Sequence, residues 1–290
     1  MATEHVDPDD TFEFADGLTV NRLGFGGMRV TGEDVIGRPE DERAAKSVIR
    51  RAVDLGVDFV DTADSYGPGV SERLIGEALG TDDGVVVASK AGLLRNRDGD
   101  WIPHGDPDFL KNQVLCSLDR LGVDAIDLYQ LHRPDPDADF EASVHAFAEM
   151  KDAGQIDRVG LSNVTVEQLE AATEVVEIAT VQNRYDVGNR DEEDVLRACE
   201  SHGVGFIPWG PMYAVEEDEV AEVLEAVAAD HATDATPRQI ALAWLLDHSE
   251  VTLPIPGTSS VDHLESNVAA SRLELTDDDV ARLDGIDPQT

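Results

Sequence analysis

Short apolar runs alternate with longer stretches of helical periodicity along almost the whole of this chain, and that alternation limits its possible folds more than any other feature. Residues 23–25, 59–61, 85–89, 126–131, 156–161, 178–181, 205–208 and 251–255 read as buried strands. Residues 40–55, 71–79, 108–121, 140–152, 166–174, 192–202, 237–248 and 261–270 carry apolar side chains at helical spacing. Strands that are apolar throughout and separated by helices form parallel sheets covered on both faces. Eight such units predict an α/β fold of the (β/α)8 TIM-barrel type, with its reactive face built from the loops after the strands. Asp16-Gly17 between two alternating segments predicts a β-hairpin over 11–20, placed to plug the bottom of the barrel. The expected organisation is one domain over 1–290, with the hairpin at 11–20, the barrel at 22–270 and a C-terminal segment at 271–290. An open dinucleotide-binding sheet is disfavoured, because Gly24-Phe25-Gly26-Gly27 does not give the glycine spacing that such a fold needs.

Charge narrows the function. The chain carries 61 Asp and Glu against 22 Lys and Arg, a formal net charge of −39. Such a surface repels nucleic acid and anionic membranes, whose binding depends on cations that neutralise phosphates. The acidic residues are spread through every region, and self-repulsion on that scale is relieved only by strong salt screening. The expectation is a cytoplasmic protein of a salt-accumulating halophile, a monomer or weak homo-oligomer. Cys116 and Cys199 fall within amphipathic helical patterns and read as small core residues in a reducing compartment. The polar, acidic first ten residues resemble neither a secretory signal nor a basic transit peptide. The eight histidines are scattered without metal-ligand spacing, so no metal site is expected.

Four residues at expected strand ends carry chemistry. Lys90, one of only four lysines, follows the apolar run Val85-Val86-Val87-Ala88-Ser89, where an ammonium needs an anionic partner. Asp61 ends the preceding strand and is placed to provide it. Tyr66 follows in the loop after that strand, and His132 ends the next one, so all four reach one rim. Lys90 read alone is more readily a snorkelling strand-end residue than a catalytic one, and His132 alone more often a hydrogen-bonded one. Together they suggest a phenol whose pKa is lowered by an adjacent ammonium, with a histidine fixing a carbonyl beside it. Nothing in this set supplies a reductant, so a cofactor must bring the hydride. An alternative uses Lys90 as a Schiff-base amine.

The segment Asp61-Thr62-Ala63-Asp64-Ser65-Tyr66-Gly67, Lys90 after its strand and Leu131-His132-Arg133-Pro134 resemble the catalytic tetrad of the aldo-keto reductase family. The similarity continues through Gly160-Leu161-Ser162-Asn163, Val181-Gln182-Asn183, Pro208-Trp209-Gly210-Pro211 and Ile255-Pro256-Gly257-Thr258, and so covers nearly the whole chain. It implies an NAD(P)(H)-dependent oxidoreductase that reduces an aldehyde or ketone to an alcohol, or the reverse, with Tyr66 as proton donor. A cofactor-binding accessory subunit with little turnover is the non-enzymatic alternative.

By the same resemblance, Ser162, Asn163 and Gln182 hydrogen-bond the nicotinamide carboxamide, and Phe206 stacks on its ring unless it is a core residue of its strand. Gly257, Thr258 and Ser259 precede a helix and suit a phosphate, while Asn267 matches the residue that contacts adenine. Gly257 and His263 stand where many members have a lysine and an arginine for the 2′-phosphate. Choice between NADPH and NADH is therefore open, with Arg190, Arg238 and Arg272 as candidate substitutes. Met28, Arg29, Trp101, Arg133 and Trp209, in loops after strands, are expected to line the substrate pocket.

Overall fold

A computed structural model of the chain describes residues 5–80, 84–231 and 234–287; the outermost parts of the acidic N-terminal stretch (1–4) and of the C-terminal segment (288–290) lie outside them. The first half contains β1 (Thr11–Glu13), β2 (Thr19–Asn21), β3 (Phe25–Gly26), α1 (Glu42–Asp54), β4 (Phe59–Asp61), α2 (Val70–Leu79), β5 (Val86–Ala91), β6 (Leu93–Arg95), β7 (Trp101–Pro103), α3 (Pro107–Leu121) and β8 (Ile126–Leu131). The second contains α4 (Phe140–Asp152), β9 (Ile156–Ser162), α5 (Val166–Thr173), β10 (Ile178–Arg184), α6 (Glu193–His202), β11 (Gly205–Trp209), α7 (Asp218–Asp230), α8 (Pro237–His248), α9 (Val261–Ala269) and α10 (Asp277–Asp284).

The helices begin where local chemistry supplies a cap. Asp41, Asp106 and Asp139 accept hydrogen bonds from the first-turn amides of α1, α3 and α4, and Pro107 occupies the first turn of α3, where no donor is lost. Thr165 with Gln168, and Thr236 with Gln239, close reciprocal capping boxes on α5 and α8. Gly122 ends α3 in the left-handed region at φ 74°, which a side chain would strain. Two helices, α7 and α10, were not expected. Their first turns hold Asp218 and Glu219, and Asp277 to Asp279, acidic runs that complement the positive end of a helix as readily as they form a solvated loop.

The closed eight-stranded barrel is not what forms. The main sheet is parallel and open, with seven strands in the order β3-β4-β5-β8-β9-β10-β11. The expected eighth strand contains Pro254 and Pro256, which have no amide hydrogen to give to a ladder. Its segment is extended and makes one isolated bridge, Thr252 to Phe206. Leu253 N donates to Phe206 O at 2.7 Å on one edge, and Gly24 N donates to Pro254 O at 2.9 Å beside the other. The sheet is thus curled far enough for one proline-interrupted segment to touch both edges.

The hairpin β1–β2 forms as expected, with Phe12 opposite Val20. Phe12, Phe14 and Val20 join Phe59, Ala88, Leu128, Ile207, Leu253 and Ile255 in a core inside the curl. The Phe12 ring lies against Gly205, the first residue of β11, so the hairpin closes the end where the strands begin. The larger core lies between the outer sheet face and the helices, and includes Ile49, Ile75, Val114, Phe147, Leu169, Leu196 and Trp244. With one end plugged and the outer face covered, the rim where the strands finish is left for function. No helix among the described residues is long and apolar enough to cross a membrane.

Candidate active site

Parallel register brings the strand-end residues to one level. Asp61 pairs with Ala88 across β4 and β5, and Lys90 pairs with Gln130 across β5 and β8. Lys90 Nζ donates to Asp61 Oδ2 at 2.6 Å and to Thr62 O at 2.8 Å. The other carboxylate oxygen of Asp61 accepts from Gln130 Nε2 at 3.1 Å and Gln182 Nε2 at 2.9 Å. Lys90 is 0% and Asp61 1% exposed, so the pair survives burial only because each charge has partners on nearly every side.

Tyr66 sits over this pair, with its ring centre 5.2 Å from Lys90 Nζ. The turn after β4 carries it there: Tyr66 N donates to Ala63 O, and Tyr66 O accepts from the amides of Val70 and Ser71 at the start of α2. The His132 ring packs edge-on at 5.8 Å, and Ser65 Oγ lies 3.3 Å from His132 Nδ1. All four expected residues therefore converge.

Their electrostatics differ in part from the expectation. The Tyr66 phenol is held well above its usual pKa of 10, first by burial and next by the Asp61 carboxylate. The expected lowering by Lys90 is absent because that ammonium is already compensated by Asp61, leaving desolvation dominant. Burial also lowers the pKa of Lys90, against the pull of Asp61. His132 is pushed well below 6.5, first by burial and then by Lys90 and Arg133, so its ring is neutral at ordinary pH. Asp64, behind Tyr66, is buried with Oδ1 unpartnered, and burial with neighbouring Glu72 raises its carboxyl.

A cleft of about 1220 Å³ opens above these residues. Its walls include Asp61, Tyr66, His132, Ser162, Asn163, Gln182 and Gly257, and all five expected pocket residues, Met28, Arg29, Trp101, Arg133 and Trp209. Asn163 adopts the left-handed region at φ 58°, which asparagine tolerates better than most residues. Its amide donates to Ser162 Oγ and His132 O, and its oxygen accepts from Trp209 Nε1 at 3.0 Å. One loop thus ties three expected contacts together. Gln182 lines the cleft while giving one hydrogen bond to Asp61.

Other expected residues lie away from these walls. Phe206 is 0% exposed and packs edge-on against Tyr185 at 5.6 Å, which makes it core. Thr258 is buried and caps its own loop by accepting from Ser260 N, whereas Ser259 and His263 are exposed and Asn267 is buried on α9. Of the three substitute arginines, Arg190 is spent on the carbonyls of Val187, Leu283 and Asp284, and Arg272 on those of His5 and Val6. Arg238 lines the cleft.

The phosphate end has a physical signature for a close-approaching ligand. A Cβ on Gly257 would stand 2.8 Å from Gly26 O, and one on Gly26 would stand 2.6 Å from Ile255 O, so both positions exclude side chains and keep backbone at the surface. Arg29 lies beside this cradle, its Cγ 3.6 Å from the same Gly257 position. Together with the amides leading into α9, these residues fit a nucleotide phosphate.

Gln130 and Arg95 escape a reading of the sequence alone. Gln130 had a signal, a lone amide inside the apolar strand Leu128-Tyr129-Gln130-Leu131. Arg95 lies in the unexpected hairpin β6–β7, where its guanidinium stacks 3.6 Å from the centre of the Trp101 ring and donates to Asp34 O and Val35 O.

Comparison with known proteins agrees with this geometry. The sequence model of the Aldo/keto reductase family matches residues 22–288. An uncharacterised oxidoreductase of Schizosaccharomyces pombe is 45% identical over 267 residues, covering 92% of this chain and 87% of that protein. A pyridoxine 4-dehydrogenase of Escherichia coli is 39% identical over 276 residues, covering 92% and 95%. An aldo-keto reductase of Klebsiella pneumoniae in complex with NADPH superposes with a TM-score of 0.82 at 26% identity, covering 100% of this chain and 98% of that one. The expected halophilic origin is not supported: none of these relatives ties the chain to a salt-accumulating archaeon. Net charge describes a surface, and it does not identify the organism that made it.

Proposed function

We infer the reaction from one premise: the chain belongs to the aldo/keto reductase family and is an NAD(P)(H)-dependent oxidoreductase. The reading is interconversion of a small aldehyde or ketone with its alcohol, Tyr66 acting as the proton donor for reduction. The observation that carries it is the stack of Tyr66 over the buried Lys90–Asp61 pair with a neutral His132 at its edge.

Bound reduced nicotinamide would supply the hydride. Charge then develops on the carbonyl oxygen, and the residues around it answer that charge. Tyr66 gives its proton to the oxygen, and Lys90 beneath it stabilises the phenolate left behind. His132 has Nδ1 occupied by Ser65, which leaves Nε2 to hold the carbonyl. Because burial keeps Tyr66 protonated over the ordinary pH range, the resting site is in the state that reduction consumes.

Ser162, Asn163 and Gln182 would hold the carboxamide, and the backbone at Gly257 to Ser259 with Arg29 the pyrophosphate. Asn267 and His263 would border the adenine on α9. Arg238 would answer a 2′-phosphate, which favours NADPH over NADH. Lys90 as a Schiff-base amine lacks support, since its side chain is fully buried and its ammonium is committed to Asp61 and Thr62. Trp101, Trp209 and Tyr213 give the cleft aromatic walls suited to a flat ring, in keeping with the pyridoxine named for the Escherichia coli relative.

Tyr66→Phe tests this reading. Consumption of reduced cofactor with a panel of aldehydes that includes pyridoxal should fall by about 10²–10⁴-fold, while cofactor binding, measured by fluorescence, stays within a factor of about two. Carbonyl reduction at the wild-type rate in Tyr66→Phe would remove Tyr66 from the role.

A further inference from the structure

In a chain where carboxylates outnumber cations 61 to 22, an arginine has many possible partners. Arg22, Arg38, Arg51, Arg120, Arg158, Arg197 and Arg282 each sit within 3.1 Å of a carboxylate oxygen. Arg95 and Arg190 spend theirs on backbone carbonyls. Arg133 and Arg184 do neither, but Arg184 faces the Tyr213 ring at 6.0 Å and lies outside the cleft walls, whereas Arg133 is one of them. Among the described residues the Arg133 side chain makes no hydrogen bond or ion pair, although it is half-buried and its Nε is fully buried.

Leaving a guanidinium partly desolvated and unpaired costs stability. The cost is tolerated most readily where a ligand supplies the missing anion. Arg133 lies where a substrate would meet it. It follows His132 in the chain, lines the main cleft, and also lines an adjoining cavity of about 480 Å³ with Pro134, Phe140 and Asn163. Arg29 and Arg97 in the same cleft are also unpaired, but both are exposed and can be served by water. On a protein of net charge −39, general electrostatic steering disfavours anions, so recognition of one requires a local cation in a low-dielectric wall.

Resting on the hydride-transfer reading above, we propose that the substrate is a carbonyl compound bearing an anionic group, a carboxylate or a phosphate, which Arg133 binds beside the reacting carbon. The planar fork of arginine suits two oxygens of either group. Arg133 is thus a specificity-determining residue that touches substrate without taking part in proton or hydride transfer.

The test uses matched probes on the full chain. 4-Carboxybenzaldehyde and its methyl ester share ring and aldehyde and differ in charge; glyceraldehyde 3-phosphate and glyceraldehyde do the same for phosphate. The wild type should prefer the anionic member of at least one pair by about tenfold in kcat/KM, mainly through KM. The pair that shows the preference distinguishes carboxylate from phosphate. Arg133→Gln should abolish the preference and Arg133→Lys retain part of it, with the NADPH dissociation constant unchanged in both. Binding without turnover gives a second readout: calorimetric titration of the NADPH complex, which has no hydride acceptor for an alcohol, with 4-hydroxymethylbenzoate and with benzyl alcohol should show the same preference and the same loss in Arg133→Gln. Equal wild-type affinity for charged and uncharged members, or a preference that persists in Arg133→Gln, would overturn the proposal. Absence of reduction of every probe, with the calorimetric preference intact, would instead count against the hydride-transfer reading.

Discussion

Lys90 Nζ and Asp61 Oδ2 stand 2.6 Å apart with both side chains essentially removed from solvent, and the phenol of the proposed proton donor rests on that pair. A buried pair of this kind is weak evidence for stability, yet breaking it from one side leaves a charge with no counterion. Lys90→Met should therefore unfold at lower urea, by about 3 kcal/mol. Asp61 would keep the two amides of Gln130 and Gln182 but lose its cation. Adding Asp61→Asn to Lys90→Met should recover part of the loss. A double variant whose destabilisation equals the sum of the two singles would contradict this account, since the residues would then be acting independently.

The four residues of this arrangement are legible in the sequence because strand-end placement needs only periodicity and residue type. Asp61, Lys90 and His132 each close or follow an apolar run, and parallel register does the rest. Depth is not legible. Nothing in the run Ile178-Ala179-Thr180-Val181 says that Gln182 reaches across to Asp61, and nothing local decides that Phe206 turns to the core and away from the cleft. The direction of the Tyr66 shift fails for the same reason, because it depends on how completely water is excluded and on how far Asp61 already compensates Lys90. The eighth strand fails for a different one: Pro254 and Pro256 are visible, but hydrophobic patterning registers the apolar run and not the missing amides.

His132 carries a pH signature. Its folded pKa is pushed well below 6.5 by burial, with Lys90 and Arg133 adding repulsion, while the unfolded chain binds a proton near the ordinary value. The unfolded state thus takes up more protons as pH falls through 6.5, so this residue makes the fold less stable on the acid side and its penalty vanishes above that point. Urea unfolding at about pH 7.5 and about pH 5.5, roughly one unit either side of the free-histidine value, should show a larger acid loss in the wild type than in His132→Gln. An identical acid loss in both would place the sensitivity elsewhere.

Arg95 links two walls of the cleft mouth. Its guanidinium stacks on Trp101 and donates to the carbonyls of Asp34 and Val35, residues whose φ values are 54° and 59°. A β-branched residue such as Val35 is strained in that region, so the turn depends on contacts from outside it. Arg95→Met keeps much of the stem and removes both functions. KM for ring-bearing aldehydes should rise by about three- to tenfold, with kcat nearly unchanged. An effect confined to kcat would show that the clamp serves the chemical step instead of the substrate wall.

The proposed preference for NADPH rests on Arg238, which alone of the three substitute arginines borders the cleft. Arg238 meets Glu216 at 3.4 Å, with the two side chains 52% and 84% exposed. An ion pair so long and so wet is weak, and a phosphate dianion would displace the carboxylate readily. Arg238→Ala should weaken NADPH binding by about tenfold and leave NADH unaffected. Glu216→Gln should act in the opposite sense and tighten NADPH alone, because it removes the competitor while keeping the size of the side chain. Fluorescence titration of both variants with both cofactors separates the outcomes: equal changes for NADPH and NADH would place Arg238 away from the 2′-phosphate and return the preference to Arg29 and the backbone at Gly257.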